Sequence, residues 1–553
     1  MVTHEPRLTR RRAMRILGGA AVLGTTGIQQ SIGPAAGQPR PQQDGTDPTE
    51  VSLVAAAGQA EIGPDASGET WQYSDHFPGP EIRLDEGETV RIDVDNQLSE
   101  ETTVHWHGIP VPNAMDGVPN VTQEPISAGE TFTYEYDASP AGTYVYHSHV
   151  GLQLDTGLSG PLIIEEDSPH VEYDREYTLM IDDFLFGRPT LDSIEAPPGG
   201  GPGGSGPGNG GPGSGPGDGG PGNRGPDEGG PGSGPGGGRG PGDGMGPEDG
   251  GGPGGGRGPG GPGGDGPGGG PGDRGPDDGG PPDGDRRGGN NPMQGQRPPY
   301  EGLVINGRLP SDPPVFDVQE GDRVRLRLIK PSSATTYRVG IGGHPLIVTH
   351  ADGRPVDPIE VDSLELSMGE RYDVIVEADT PGEWAIVAAP VVGTEQPAEA
   401  RLRYENADEE TADGPQFDGR RLQYRDLSAL DPLDVDGTPD RTFQFTLSGG
   451  MMQGDPDAWT IDGQVYPEAD PLAISEGEHI RVEMVNRSPA IHPMHLHGHF
   501  FQVGEAVKDT VMVPPYGGQV SFDFRADNPG DWLFHCHNVY HLERGMARVF
   551  EYV

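Results

Sequence analysis

Three stretches of this chain repeat one design. EIRLDEGETVRIDVDNQL starts at Glu81, VFDVQEGDRVRLRLIKPS at Val315 and LAISEGEHIRVEMVNRS at Leu472; each reads as a short strand, an acidic-Gly turn and an alternating strand. A second element follows each: AGETFTYEYD then AGTYVYHSH, MGERYDVIVEAD then PGEWAIVAAP, and GGQVSFDFRADN then PGDWLFHCH. Self-similarity of this kind predicts homologous units, here three. Apolar and polar residues alternate along the runs, so each strand has one buried and one solvated face, as a two-sheet sandwich requires. Long helical apolar periods are absent, which makes the predicted fold class all-β.

A length of 553 residues fits several domains of about 100–200 residues each. Most of the 94 Gly and 60 Pro crowd between Pro197 and Pro298. The boundaries expected are 50–168, 172–410 interrupted by the Gly/Pro-rich insert 197–298, and 415–553. The insert has no strict three-residue period, which disfavours collagen; acidic and poor in apolar residues, it reads as a disordered spacer. Residues 1–45 form a leader. Arg10, Arg11 and Arg12 precede an apolar run from Ile16 to Ile28, the pattern of a twin-arginine export signal. That run is too short to span a bilayer as a mature helix. The expectation is a folded protein handed to the Tat export machinery and released outside the cell or held at its surface, without stable membrane insertion.

The formal charge is −50, and the only lysines are Lys330 and Lys508. Such a surface repels phosphate, so nucleic acid is excluded as a partner, and it stays soluble in concentrated salt, which predicts a halophilic source. Cys536 is the single cysteine, so no intramolecular disulfide forms. Two sequons, at Asn120 and Asn486, are open to glycosylation in an exported chain.

Histidine carries the chemistry. Ten of the 17 gather in the first and third repeats: His105 and His107, His147 and His149, His492, His495 and His497, then His535, His537 and His541. Residues i and i+2 of a strand share a face, so each His-x-His pair aims two imidazoles at one point. Four such pairs offer eight imidazoles, too many for one ion and suited to a metal cluster. The same alternation turns Cys536 away from His535 and His537, toward a different metal. His492, His541 and Met546 complete a His2Cys set with a weak thioether, the ligand set of a blue-copper site. Zinc also takes Cys and His, but has no use for an axial Met or eight clustered imidazoles.

On these motifs the chain resembles the three-domain multicopper oxidases of the laccase type, everywhere outside the leader and the insert. The resemblance implies three consecutive cupredoxin-like Greek-key β-sandwiches and four copper ions. It implies type 2 copper on His105 and His495, and paired type 3 coppers on His107, His147 and His537 and on His149, His497 and His535. Type 1 copper would sit on His492, Cys536 and His541 with Met546 axial, a lower-potential entry site than one with Leu or Phe there. Asp116 matches the acid that feeds protons toward the type 2 copper in relatives. Many bacterial relatives carry a second acid directly after the last type 1 His; here that position is Leu542 and the acid is Glu543.

The activity implied is one-electron oxidation of four reducing molecules, phenols or aromatic amines, coupled to reduction of O2 to water. Two alternatives stay open: a metallo-oxidase for cuprous or ferrous ions, for which only Met451 and Met452 hint at a Met-rich segment, and a non-catalytic copper-binding electron-transfer protein, in which eight of the imidazoles would have no task. His4, His76, His170, His344, His350, His479 and His499 are read as structural or surface residues.

Overall fold

The structure is a computed structural model that describes residues 48–193, 297–405, 414–449 and 457–553. The predicted leader, nearly all of the Gly/Pro-rich insert, His4 and the Met451-Met452 pair lie outside these residues. Among the described residues no helix is long and apolar enough to cross a membrane.

Among the described residues six sheets form, two for each predicted repeat. In every unit the opening strand pairs parallel with the long alternating strand of the first repeated element: 49–55 with 90–96, 175–180 with 324–329, and 441–447 with 480–486. The short strand before the acidic-Gly turn pairs parallel with the closing strand, 82–85 with 162–165, 315–318 with 401–404 and 472–474 with 550–552. The second repeated element then adds its first strand antiparallel to the long one, Thr131–Asp137, Arg371–Glu377 and Gln519–Arg525. Three copies of one sandwich topology result. The turn glycines Gly87, Gly321 and Gly477 have φ of +82°, +91° and +85° with open space where a Cβ would stand, so it is the left-handed backbone that demands glycine there.

Each sandwich encloses its own apolar core. Leu53, Ile92 and Trp106 are fully buried in the first, Val324, Leu346 and Ile386 in the second, Val482, Phe522 and Phe534 in the third. Each such side chain contributes about 1.5–3 kcal/mol to folding. The cores anchor the strands whose ends carry the histidines, and the middle unit has Tyr337 and Val339 on the strand equivalent to His105–His107.

One expectation is corrected here. Asn486 is fully buried; its amide donates to the carbonyls of Ala490 (2.7 Å) and Val513 (3.2 Å) and its carbonyl oxygen accepts from Ser488 N. It closes a strand end as Asn96 does in the first unit, and is not open to glycosylation. Asn120 is exposed.

Candidate metal centres

The His-x-His pairs sit where strands end. Strand His105–His107 pairs with Gly142–His147 so that His105 faces His147, and His492–Leu496 pairs with Asp531–Cys536 so that His495 faces His535. The first and third units then meet ring to ring. His105 and His497 lie 3.9 Å apart between centroids, His107 and His495 stack at 3.8 Å, His149 and His535 stand at 5.1 Å and His147 and His537 at 5.3 Å.

Ligand atoms converge within 4.8 Å of one another in four groups of Cys and His, the first two sharing His107: His105, His107 and His495; His107, His147 and His537; His149, His497 and His535; and His492, Cys536 and His541. The one segment from His535 to His537 thus serves three groups, with the thiol turned opposite to its neighbours.

The donor atoms fit metal ions. Nδ1 of His105, His147, His495 and His535 each donates to a main-chain carbonyl, of Asp116, Ser148, Asp509 and Cys536, at 2.8–2.9 Å. Nε2 of His105, His147 and His495 is left buried without a partner. His497 turns Nδ1 to the Asp116 carboxylate at 3.1 Å, and its Nε2 lies 3.0 Å from Nε2 of His535. With both Nδ1 atoms donating, those two Nε2 atoms present lone pairs to each other, an arrangement that calls for a cation between them. Burial and neighbouring imidazoles hold His107, His149, His495, His497 and His537 well below the usual histidine range; burial lowers His147 to about 3 and His535 to about 4. The rings are neutral at pH 7, the form that binds metal.

At the fourth group, Nδ1 of His492 and Nδ1 of His541 each lie 3.5 Å from Cys536 Sγ. Ser488 Oγ contacts His492 Nε2 at 2.7 Å, and Trp459 stacks on His541 at 3.9 Å. Burial pushes the Cys536 thiol up, so a bound metal is what would make it a thiolate. Met546 is fully buried in the same core cluster, its carbonyl accepting from Cys536 N and its N–H donating to His541 O.

Asp116 is fully buried between the two units, with its main chain on His105 and its carboxylate on His497. Glu543 is placed differently. It is exposed at the end of the single-turn helix Val539–Leu542, outside all four groups, while Leu542 lines a narrow cleft that reaches His147, His149, His535 and His537. His499 is structural: buried, it contacts Tyr552 Oη at 2.6 Å and donates to His497 O. His344, His350 and His479 are buried as well, and His76 is exposed. Sequence reasoning missed Trp459, Asn538, whose side chain caps the helix bearing His541, and Asp509, which holds His495. A second cleft is bordered by His541, Asn538, Met368, Ile491, Val392 and Arg297 among others; among the described residues no carboxylate lines it, and Arg297 pairs with Glu395 at 2.9 Å.

Three β-sandwiches, with buried His groups between the outer two and a His2Cys group inside the third, define a cupredoxin-type metalloprotein. Profiles of the family described as multicopper oxidase match residues 55–169, 283–407 and 436–553. The chain is 31% identical to multicopper oxidase MmcO of Mycobacterium tuberculosis, over 88% of this chain and 83% of that protein. It is 27% identical to a copper resistance protein A homolog of Pseudomonas syringae pv. tomato, over 98% of both, and 26% identical to laccase-5 of Trametes villosa, over 86% and 84%. Among solved structures, Fet3p, titled a multicopper oxidase that functions in iron import, superposes with a TM-score of 0.66 at 18% identity, over 92% of this chain and 90% of that one. The laccase from Botrytis aclada gives 0.65 at 22%, over 95% and 93%. The chain belongs to the multicopper oxidase family. It is a copper-dependent oxidoreductase that uses O2 as acceptor.

Proposed function

We propose that these residues would hold four copper ions: type 1 on His492, Cys536, His541 and Met546, type 2 on His105 and His495, and the type 3 pair on His107, His147 and His537 and on His149, His497 and His535. Bound there, copper supplies one-electron oxidation of a donor at the first site and four-electron reduction of O2 to two waters at the other three. The observation that carries this reading is the placement of Cys536 in one group while its two peptide neighbours belong to two others. The main chain is then the shortest covalent link between donor side and oxygen side, and Trp459 and Ser488 fix the two imidazoles beside the thiol.

The donor is an organic reductant, a phenol or aromatic amine. Ala334, Met368, Val392, Ala490 and Ile491 make the cleft beside His541 largely apolar, and among the described residues no carboxylate lines it to take a ferrous ion. The competing reading, a cuprous or ferrous oxidase, draws on Met368 in that cleft and on the copper-resistance relatives. Oxygen uptake by copper-loaded protein in high salt, with a phenol, cuprous ion and ferrous ion offered in parallel, separates them. The phenol is expected to give the highest kcat/KM; a higher value for either metal ion reverses the assignment.

Asp116 is proposed as the proton relay, since its carboxylate is the acid in contact with both His105 and His497. Glu543, exposed and outside the groups, is the weaker candidate. Asp116→Asn is expected to slow oxygen reduction by about 100-fold or more while the blue absorption is retained. Unchanged turnover would remove Asp116 from the mechanism.

The acidic surface and the Arg10-Arg11-Arg12 leader support Tat-dependent export from a halophilic source. Replacing all three arginines by lysine should retain the protein inside the cell; continued export would contradict this.

A further inference from the structure

The middle unit supplies none of the ten grouped histidines, yet its main chain reaches them. An added Cβ on Gly369, where φ is +85°, would lie 2.9 Å from His537 and 3.0 Å from His107. Two residues on, Arg371 is fully buried and touches all three units. Its Nε donates to Thr143 O of the first unit at 3.1 Å and Nη1 to Gly369 O of its own at 2.8 Å. Nη1 and Nη2 donate to the two carboxylate oxygens of Asp509 in the third unit, at 2.8 and 2.6 Å. This two-pronged fork fixes the carboxylate in plane as well as in charge.

Asp509 faces the histidines on its other side. Its Oδ1 lies 3.2 Å from His107 Nε2, its carbonyl accepts from His495 Nδ1 at 2.8 Å, and the Thr510 hydroxyl donates to Oδ1 at 2.9 Å. Gly108, directly after His107, has φ of +90°, and a Cβ there would stand 2.4 Å from Arg371 Nη2 and 2.5 Å from Asp509 Oδ2. That glycine lets the ion pair approach the cluster. Behind it, Asp352 accepts from Arg371 N at 2.9 Å and pairs with Lys508 at 3.0 Å.

His107 is oriented the reverse of His105, His147, His495 and His535. They turn Nδ1 to an acceptor; His107 turns Nε2 to Asp509 and leaves Nδ1 buried without a partner. We propose that Asp509 and Arg371 are positioning residues of the oxygen-side cluster: Asp509 accepts the Nε2 proton of His107, which leaves Nδ1 to face the metal, and Arg371 of the middle unit holds that carboxylate in place. The outer-shell carboxylate thereby selects the ligand atom as well as the ring orientation. Because the same residue holds His495 through its carbonyl, one contact ties ligands of both outer units. This rests on the cluster assignment proposed above.

Breaking a buried ion pair on one side strands a charge, so a single variant confounds folding with positioning; replacing both partners by apolar groups removes the stranded charge, leaving the lost positioning and the two carbonyls, of Thr143 and Gly369, that Arg371 had satisfied. The test compares the full-length, copper-loaded parent with Arg371→Met/Asp509→Leu and with Asp509→Asn. Copper per chain, the blue absorption, the EPR signal of non-blue copper and the melting of the copper-free chains are measured. The double variant should melt close to the parent and stay blue, yet bind the coppers assigned to His107 and to His495, the two ligands Asp509 touches, about 10- to 100-fold more weakly. Asp509→Asn, whose amide oxygen still accepts from His107, should fall between the two; if the double variant does not fold, this intermediate loss with the blue band intact carries the test. A fully loaded parent beside fully loaded variants with an unaltered EPR signal overturns the inference alone. A parent that itself binds only the blue copper overturns the cluster assignment, and the inference with it.

Discussion

Cys536→Ser should abolish the blue colour and lower donor-driven oxygen uptake by more than about 100-fold, the upper end of what losing a mere outer-shell partner costs. The serine is nearly isosteric, so the core around it, with Met494, Phe534 and Met546, has no reason to collapse. The hydroxyl is a poor copper ligand, and with the thiol goes the one side chain that shares a backbone segment with His535 and His537. The oxygen-side histidines stay in place. The variant should therefore still bind copper there and still show a non-blue EPR signal. Residual donor oxidation at a tenth of the parent's rate or more would show that electrons enter elsewhere.

The copper-free chain should lose stability steeply between pH 6.5 and 4. Burial lowers His147 and His492 to about 3 and His535 to about 4, below the ordinary value of about 6.5 reached in the unfolded chain. The unfolded state therefore binds the proton first as pH falls. Stability is fully present above about 6.5 and drains away below it. At pH 5 each of the three costs on the order of 2 kcal/mol, together an amount comparable with a whole domain's stability. Six other grouped imidazoles, those of His107, His149, His495, His497, His537 and His541, shift in the same direction. Asp155, raised by burial to about 7, opposes the trend, its contribution growing as pH falls from 7 toward 4, and desolvation raises Asp182, Glu370, Asp509 and Glu543 in the same sense, but these five acids are outnumbered by the nine lowered imidazoles. Copper occupies the lone pairs that protons would take, so the loaded protein should hold its melting temperature to lower pH. Parallel melting curves of the two forms that do not separate below pH 6 would contradict this.

The three repeats and the histidine pairs were legible because both rest on the period-two alternation of a strand, a local signal. It puts His535 and Cys536 on opposite faces of one strand, and their ligand atoms lie in different groups. Arg371, Asp509 and Trp459 carry no such signal. They reach the histidines from other strands and loops, and Arg371 lies in the one repeat without grouped histidines. A hint existed at Lys508: in a chain that uses arginine for almost all its cations, one of two lysines marks a buried site, and it stands beside Asp509. Asn486 failed the other way, since a sequon is read without burial and this one ends a core strand. Glu543 was singled out by its distance from His541 along the chain, but the helical turn after Asn538 carries it outward and leaves Leu542 on the cleft wall.

The most direct test of the account is the count and kind of copper in the fully loaded chain, by metal analysis combined with quantitative EPR. The account predicts about four coppers per chain, of which about half are EPR-visible, one blue and one not, with the remaining pair silent through mutual coupling. A chain saturated by one or two coppers, or one that stays colourless when full, would contradict it.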